Sequence, residues 1–253
     1  MRKVLLAKKG SMKASTFSDY TFAARKIEEK IGDRPLDSLK KIDYEAFING
    51  FAAEKYTYNN KTDYYSESRI HKVYMVLNMV VEYAFEEELI AKNYMSKIKE
   101  PDSQKKHSDK YKALTDHEIA TVLKALSGDL KYRALILILR DTGIRPGEAL
   151  GLTLDNINLD ECKVNIVQAI SYDCEYDIET YKQSSRKAIV KDLKNEKGKV
   201  AYVARRTLRI SDETVKAIAA LIDRDANDNK LMKNRKINNT VNMLFTDSQG
   251  RLQ

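Results

Sequence analysis

The chain has 253 residues, of which 43% are hydrophobic and 32% charged, and its formal net charge is +8. That is enough chain for two ordinary domains, each with a buried core, while only three prolines and nine glycines argue against a low-complexity chain or a turn-rich sandwich or barrel. No apolar run approaches a membrane span and "MRKVLLAKKG" has too short an apolar centre for a secretory signal, so a cytoplasmic protein is expected.

The first ten residues read as a tail. From Thr16 the pattern turns helical: Thr16 and Asp19 resemble a capping box, and Phe17, Tyr20, Ala24, Ile27 and Ile31 follow at helical spacing. "IGDRPL" stops that helix. A second helix is expected from about Asp43, burying Phe47, Ile48 and Phe51, and "TYNNKTDYYSES" reads as polar loop. A long helix from about Ser66 carries Ile70, Val73, Leu77, Val80, Val81, Ala84 and Phe85. Residues 11–98 therefore predict a helical bundle, and the lysine-rich, aliphatic-free stretch 99–111 predicts a linker.

A second domain, 112–253, opens with a capping box from Thr115 to Glu118 and is followed by the apolar "RALILIL" helix. Beyond Lys163 the pattern becomes β-branched and alternating in "KVNIVQAI", "RKAIV" and "KVAYVARRTLRI", which predicts a small antiparallel sheet. Ser211 and Asp212 then cap a helix with Val215, Ile218, Ala219 and Ile222, and "NMLFTDSQG" reads as an extended segment and turn. The predicted class is mostly α with a small antiparallel β-sheet. Cys162 and Cys174 are twelve residues apart with no histidine near them, a spacing without metal or redox signature.

Charge is concentrated. Between Lys182 and Arg209 there are ten basic residues against two acidic ones, so this one segment equals the whole net charge of +8. Such a local excess is the footprint expected of a protein that follows a phosphate backbone. Lys182, Arg186, Lys187, Lys191, Lys197, Lys199, Arg205 and Arg206 are the candidate DNA-contacting residues.

The most informative stretch is "LILILRDTGIRPGEALGLTLDNI". Gly143 supplies a permissive turn and Pro146 suits a first helical turn. Arg145 then becomes the approximate N-cap and Glu148 the third helical residue. An arginine at a rigid elbow beside a helix start could receive an anion; equally, it could do no more than pair with Glu148.

Here the residues resemble a known family. "LRDTGIRPGEALGLTLDNIN" is similar to the first box of the tyrosine recombinases, or phage integrases, with Thr142, Gly143, Arg145, Glu148, Leu150 and Leu152 matching in order. "STFSDYTFAARKIEEKIGDRPLDSLKKIDYEAFIN" resembles the opening of the family's core-binding domain, "KYKALTDHEIATVLKAL" the start of its catalytic domain, and "ARRTLRIS" the strand after its catalytic hairpin. The resemblance implies an N-terminal helical, SAM-like core-binding domain followed by an incomplete α+β catalytic domain. It also implies site-specific DNA recombination or integration, as in mobile elements, through a tyrosine that attacks a phosphodiester. Arginines would clamp the phosphate and a hairpin lysine would protonate the leaving oxygen.

Carried over, Arg145 is the first clamp arginine, Glu148 an acid that holds it, and Lys194 the hairpin lysine, with Lys191 and Lys197 as alternatives. The implied partners are double-stranded DNA and further protomers in a tetrameric synapse; no cofactor or metal is implied. The family's later His-x-x-Arg box and nucleophilic tyrosine are not found. No histidine follows His117, tryptophan is absent, and the last tyrosine is Tyr202. His71, His107, His117, Tyr172, Tyr176, Tyr181 and Tyr202 do not fit those roles. A chain truncated before its nucleophile is the expectation, with a DNA-binding remnant or regulator that does not cleave as the alternative.

Overall fold

A computed structural model of the chain describes residues 1–12, 14–105, 113–193 and 205–252. The fold divides into two compact units, one formed by Met1–Tyr111 with Asp173–Arg186 and the other by Lys112–Tyr172 with Lys187–Gln253.

The first unit is built from helices α1 (Arg2–Lys9), α2 (Ala14–Ile31), α3 (Lys41–Ala52) and α4 (Glu67–Glu86). Residues Arg2–Lys9 are helix rather than tail, with Val4 and Leu5 buried. Helix α2 begins ahead of Thr16, so Thr16 lies within its first turn and is not its cap. Helix α3 starts at Lys41, and Asp43 stands three residues past its N-cap. There the Asp43 carboxylate accepts the Lys40 backbone N–H at 2.8 Å and pairs with Arg34, and these bonds hold it below the ordinary aspartate range. Ser66 is the N-cap of α4. On α4, Ile70, Val73, Val76, Leu77, Val80, Val81 and Ala84 are buried, while Phe85, expected inside, is exposed.

The stretch read as polar loop is a β-hairpin. Strands β1 (Lys55–Tyr58) and β2 (Lys61–Tyr64) pair antiparallel in the register Lys55↔Tyr64 to Tyr58↔Lys61. Asn59 and Asn60 make the turn with φ of +47° and +60°, the left-handed conformation that a two-residue hairpin turn requires and that asparagine tolerates. Tyr65 anchors the hairpin, stacking on Phe51 at 4.4 Å and on Tyr56 at 4.8 Å between ring centroids.

Residues 173–186 complete this unit. Tyr181 is buried in the helical core, its hydroxyl donating to Glu28 Oε1 at 2.6 Å, and Tyr176 donates to Ser18 Oγ at 2.6 Å. Arg2 pairs with both Glu28 and Glu179. Burial, and then the Glu28 carboxylate, push the Tyr181 phenol well above its usual range, so it stays a neutral donor. No local pattern announces this packing, since the partners are more than 150 residues apart in sequence.

The second unit contains α5 (Asp116–Ala125), α6 (Leu130–Thr142), α7 (Pro146–Leu150), α8 (Asp212–Ala226) and α9 (Asn229–Ile237). Its sheet has three antiparallel strands, β3 (Ile157–Asn158), β4 (Lys163–Ile166) and β7 (Arg206–Arg209), with β4 central. Strands β5 (Ala169–Tyr176) and β6 (Gln183–Lys191) pair separately. The expected capping box is present: Glu118 N–H donates to Thr115 Oγ1 and Thr115 N–H to Glu118 Oε2.

Ala134, Leu137 and Ile138 line one face of α6, and Thr214, Ala217, Ile218 and Leu221 line one face of α8. Together with Val164, Ile166, Leu244 and Phe245 they form the core. Each large aliphatic side chain fully removed from water contributes about 1.5–3 kcal/mol. Helix α9 was not anticipated; it carries little apolar surface, and two of its nine residues, Leu231 and Arg235, are buried. Among the described residues no helix is long and apolar enough to cross a membrane.

Candidate functional site

The site is built around the joint between α6 and α7. Gly143 terminates α6 with φ of +61°, a left-handed conformation that costs glycine little. Thr142 turns its hydroxyl back onto the Ile138 carbonyl. Asp141 ties the end of α6 to the start of α8. It accepts the Ser211 backbone N–H at 2.8 Å, the Ser211 hydroxyl at 2.7 Å and the Thr214 hydroxyl at 2.5 Å. Burial would raise the Asp141 pKa, but these donors and Arg140 outweigh it and hold the carboxyl below the usual range. The joint is therefore fixed from the α8 side.

Arg145 is the N-cap of α7 and Pro146 occupies its first turn, as the sequence predicts. Glu148, 2% exposed, faces inward. Its Oε2 accepts the Arg145 backbone N–H at 3.0 Å and Arg206 Nη2 at 2.7 Å; its Oε1 accepts Arg145 Nη1 at 3.1 Å. Burial pushes the Glu148 carboxyl up, yet Arg206, the Arg145 N–H and the Arg145 guanidinium together bring it below its usual range. Glu148 is thus a buried anion bracketed by two arginines. The Arg145 side chain keeps 52% of its surface exposed, so most of its five N–H donors remain open to an anion. Helix α7 has only five residues, and the macrodipole of so short a helix adds little. The guanidinium itself supplies the attraction for an anion.

Two glycines, Gly147 in α7 and Gly151 just past it, let the chain approach the start of β5 closely. A Cβ at Gly147 would lie 2.6 Å from the Ile170 carbonyl oxygen, and one at Gly151 would lie 2.9 Å from both Ala169 Cα and Gln168 O. Gln168 Nε2 donates to the Gly151 carbonyl at 3.0 Å. Gly147→Ala is expected to lower stability by about 1–2 kcal/mol. The overpacking cost of about 1–3 kcal/mol exceeds the helix-propensity gain of up to about 1 kcal/mol. Urea unfolding measures this against Gly128→Ala, whose Cβ meets nothing within 4 Å; equal midpoints for the two variants would show that the close approach at α7 does not matter.

The described residues of the basic stretch are shared between the two units. Lys182 and Arg186 belong to the first unit, whereas Lys187, Lys191, Arg205 and Arg206 belong to the second. Lys182, Lys187 and Arg205 are exposed and Lys191 is half-buried on β6. Lys194, Lys197 and Lys199 lie outside the described residues. Arg206 has a role that its sequence position did not suggest, as an ion-pair partner of Glu148 from 58 residues away. The i, i+4 spacing of Gly147 and Gly151 was a legible signal of close backbone approach; nothing local marks the Arg206–Glu148 pair. Among the described residues no group of three or more His, Cys, Asp or Glu side chains could hold a metal ion.

The sequence of residues 112–247 matches the phage integrase family. The chain belongs to that family. The integrase fold extends over both units: the Tn1549 transposon integrase, solved in complex with a circular intermediate DNA, matches with a TM-score of 0.66 at 18% identity, over 100% of this chain and 72% of that one. The same integrase with transposon right end DNA gives 0.63 at 18% identity, with the same coverage. A lambda integrase dimer bound to a COC′ core site gives 0.53 at 18% identity, over 88% of this chain and 52% of that one. At such identities the likeness is one of fold, that of the tyrosine recombinases. No curated protein matches the chain in sequence.

Proposed function

We propose that this integrase-family chain binds double-stranded DNA and presents Arg145 to a phosphate at a recombination site, within an assembly of several protomers. The observation that carries the reading is the Arg145–Glu148 elbow. A buried carboxylate fixes the arginine's backbone and one N–H, and leaves the rest of the guanidinium exposed on a rigid joint. Such preorganisation suits a group that must stabilise charge developing on phosphate oxygens without reorganising at the moment of reaction. The net charge of +8 supports association with a polyanion. In the family's chemistry the tyrosine forms the covalent link to DNA. The contribution assigned to these 253 residues is DNA binding and phosphate positioning, with a hairpin lysine from the 191–197 region as the proton donor.

Arg145→Ala tests the reading. Loss of a charge-assisted contact is worth about 1.5–3 kcal/mol, so duplex DNA binding, followed by anisotropy, should weaken roughly tenfold or more. The slope of log K against log salt should flatten by about 0.9. Thermal stability should fall only modestly, since Glu148 keeps Arg206 and the Arg145 backbone N–H as partners. Unchanged DNA affinity accompanied by a clear drop in melting temperature would make Arg145 a purely structural partner of Glu148.

A further inference from the structure

The β1–β2 hairpin has a stem that packing explains and a tip that it does not. At the base, Tyr56 stacks on Tyr65, which stacks on Phe51 of α3. Lys55 sits over the Tyr64 ring at 5.0 Å and the Thr57 and Thr62 hydroxyls bond across the strands at 2.9 Å. Its one carboxylate, Asp63, is neutralised by Lys105 at 2.7 Å. That pairing leaves Lys55 and Lys61 uncompensated by any acid between residues 55 and 62. At the tip, Tyr58 is 70% exposed, and Asn59, Asn60 and Lys61 are exposed too. Among the described residues the side chains of these four have no hydrogen-bond, ion-pair or ring partner.

These residues are not loose. The turn is set by two left-handed asparagines, and the register pairs Tyr58 directly with Lys61, so the phenol and the ammonium share one face of the ribbon. An aromatic ring, two amides and a cation on a rigid two-stranded ribbon match the chemistry of a nucleic acid groove edge. The ammonium suits a phosphate, the phenol and amides suit phosphate and sugar oxygens, and the ribbon is narrow enough for a major groove about 12 Å wide. An apolar protein partner would call for a different tip.

We propose that the tip of this hairpin, Tyr58 to Lys61, is a DNA-contacting arm of the helical unit, with Lys61 on a backbone phosphate and Tyr58 beside it. The assignment rests on the proposal that the chain binds duplex DNA, and adds to it a contact made by the helical unit.

The test uses the full chain and a 30-base-pair mixed-sequence duplex carrying a fluorophore. Lys61→Ala should flatten the salt dependence by about 0.9 and weaken binding roughly fivefold to tenfold near 0.1 M salt. Circular dichroism should be unchanged, because the exposed side chain has no hydrogen-bond or ion-pair partner among the described residues. In parallel, p-benzoylphenylalanine in place of Tyr58 should photocross-link to the duplex. A salt slope unaffected by Lys61→Ala, with no cross-link from position 58, overturns the arm while leaving DNA binding by the parent chain intact. Absence of any salt-dependent binding by the parent chain overturns both readings.

Discussion

Glu148→Ala is expected to destabilise the second unit by about 3 kcal/mol, and to weaken DNA binding less than loss of Arg145 does, because the guanidinium remains but loses its fixed position. The carboxylate is 2% exposed and accepts three hydrogen bonds, from the Arg145 backbone, the Arg145 guanidinium and Arg206. Removing one partner of a buried ion pair costs about 3–5 kcal/mol. Here the arginines are partly solvated and can rehydrate, which places the effect at the lower end. Glu148→Gln keeps the shape but not the charge and should fall between parent and Ala in urea unfolding. The two variants also carry a pH signature. The folded Glu148 carboxyl titrates below its ordinary 4.5, so its contribution is fully present above that value and is lost as the pH falls through the lower folded pKa. Parent and Glu148→Gln stabilities should therefore converge in acid, with the part owed to Asp141, also held low, remaining in both. A gap that stays constant from neutral pH to below pH 4 would mean that the charge of Glu148 contributes nothing.

Asp225→Ala should have an effect of about 3–5 kcal/mol, through a different mechanism. Asp225 on α8 is 5% exposed and Arg235 on α9 is 4% exposed. Arg235 Nη2 donates to Asp225 Oδ2 at 2.5 Å and Arg235 Nε to Thr246 Oγ1 at 3.0 Å, while Arg224 occupies the other carboxylate oxygen. Without Asp225 the Arg235 guanidinium is buried with a single neutral partner, Thr246, among the described residues, and arginine cannot escape by deprotonating. Arg235→Met added to Asp225→Ala should restore most of the loss, because an apolar side chain of similar length tolerates the dry site. Failure of the second substitution to rescue the first, in thermal unfolding, would show that the arginine is not stranded. Gly250 adds to the constraint: its φ is +68° and a Cβ there would lie 2.6 Å from the Arg235 backbone nitrogen. This cluster holds the 243–252 segment beside α8 and α9, where Leu244 and Phe245 join the core that supports α7. The Leu244 N–H bonds to the Leu152 carbonyl just past α7. A surface-looking "DRDAND…NRK" sequence contains a buried ion pair.

Self-contained local chemistry read correctly at most positions, the Thr16 cap being an exception because α2 begins two residues earlier. Pro146 after Arg145, the Thr115–Glu118 box, Ser211 before α8, the Gly143 turn and the apolar faces of α4 and α6 each depend on neighbours within one or two helical turns. Proximity along the chain then sets proximity in space. The integrase box is legible for the same reason: turn, proline, arginine and glutamate form a contiguous unit. The hairpin at 55–64 was missed because tyrosines, lysines and asparagines show no apolar alternation; its strands are held by one buried anchor, Tyr65, rather than by a buried face.

By itself the sequence determined helices α2 to α8, the caps at Ser66, Thr115 and Ser211, the rigid elbow carrying Arg145 and the excess of positive charge, since each follows from short-range sterics, hydrogen bonding or composition. Only the tertiary structure decided that Glu148 is shared by Arg145 and Arg206, and that Tyr181 enters the helical core beside Glu28. It also divided the basic stretch between two units and buried Arg235. Those outcomes join residues 10 to 153 positions apart. A buried charge is tolerated only where the whole fold delivers a partner to it, and no local pattern encodes which distant residue arrives.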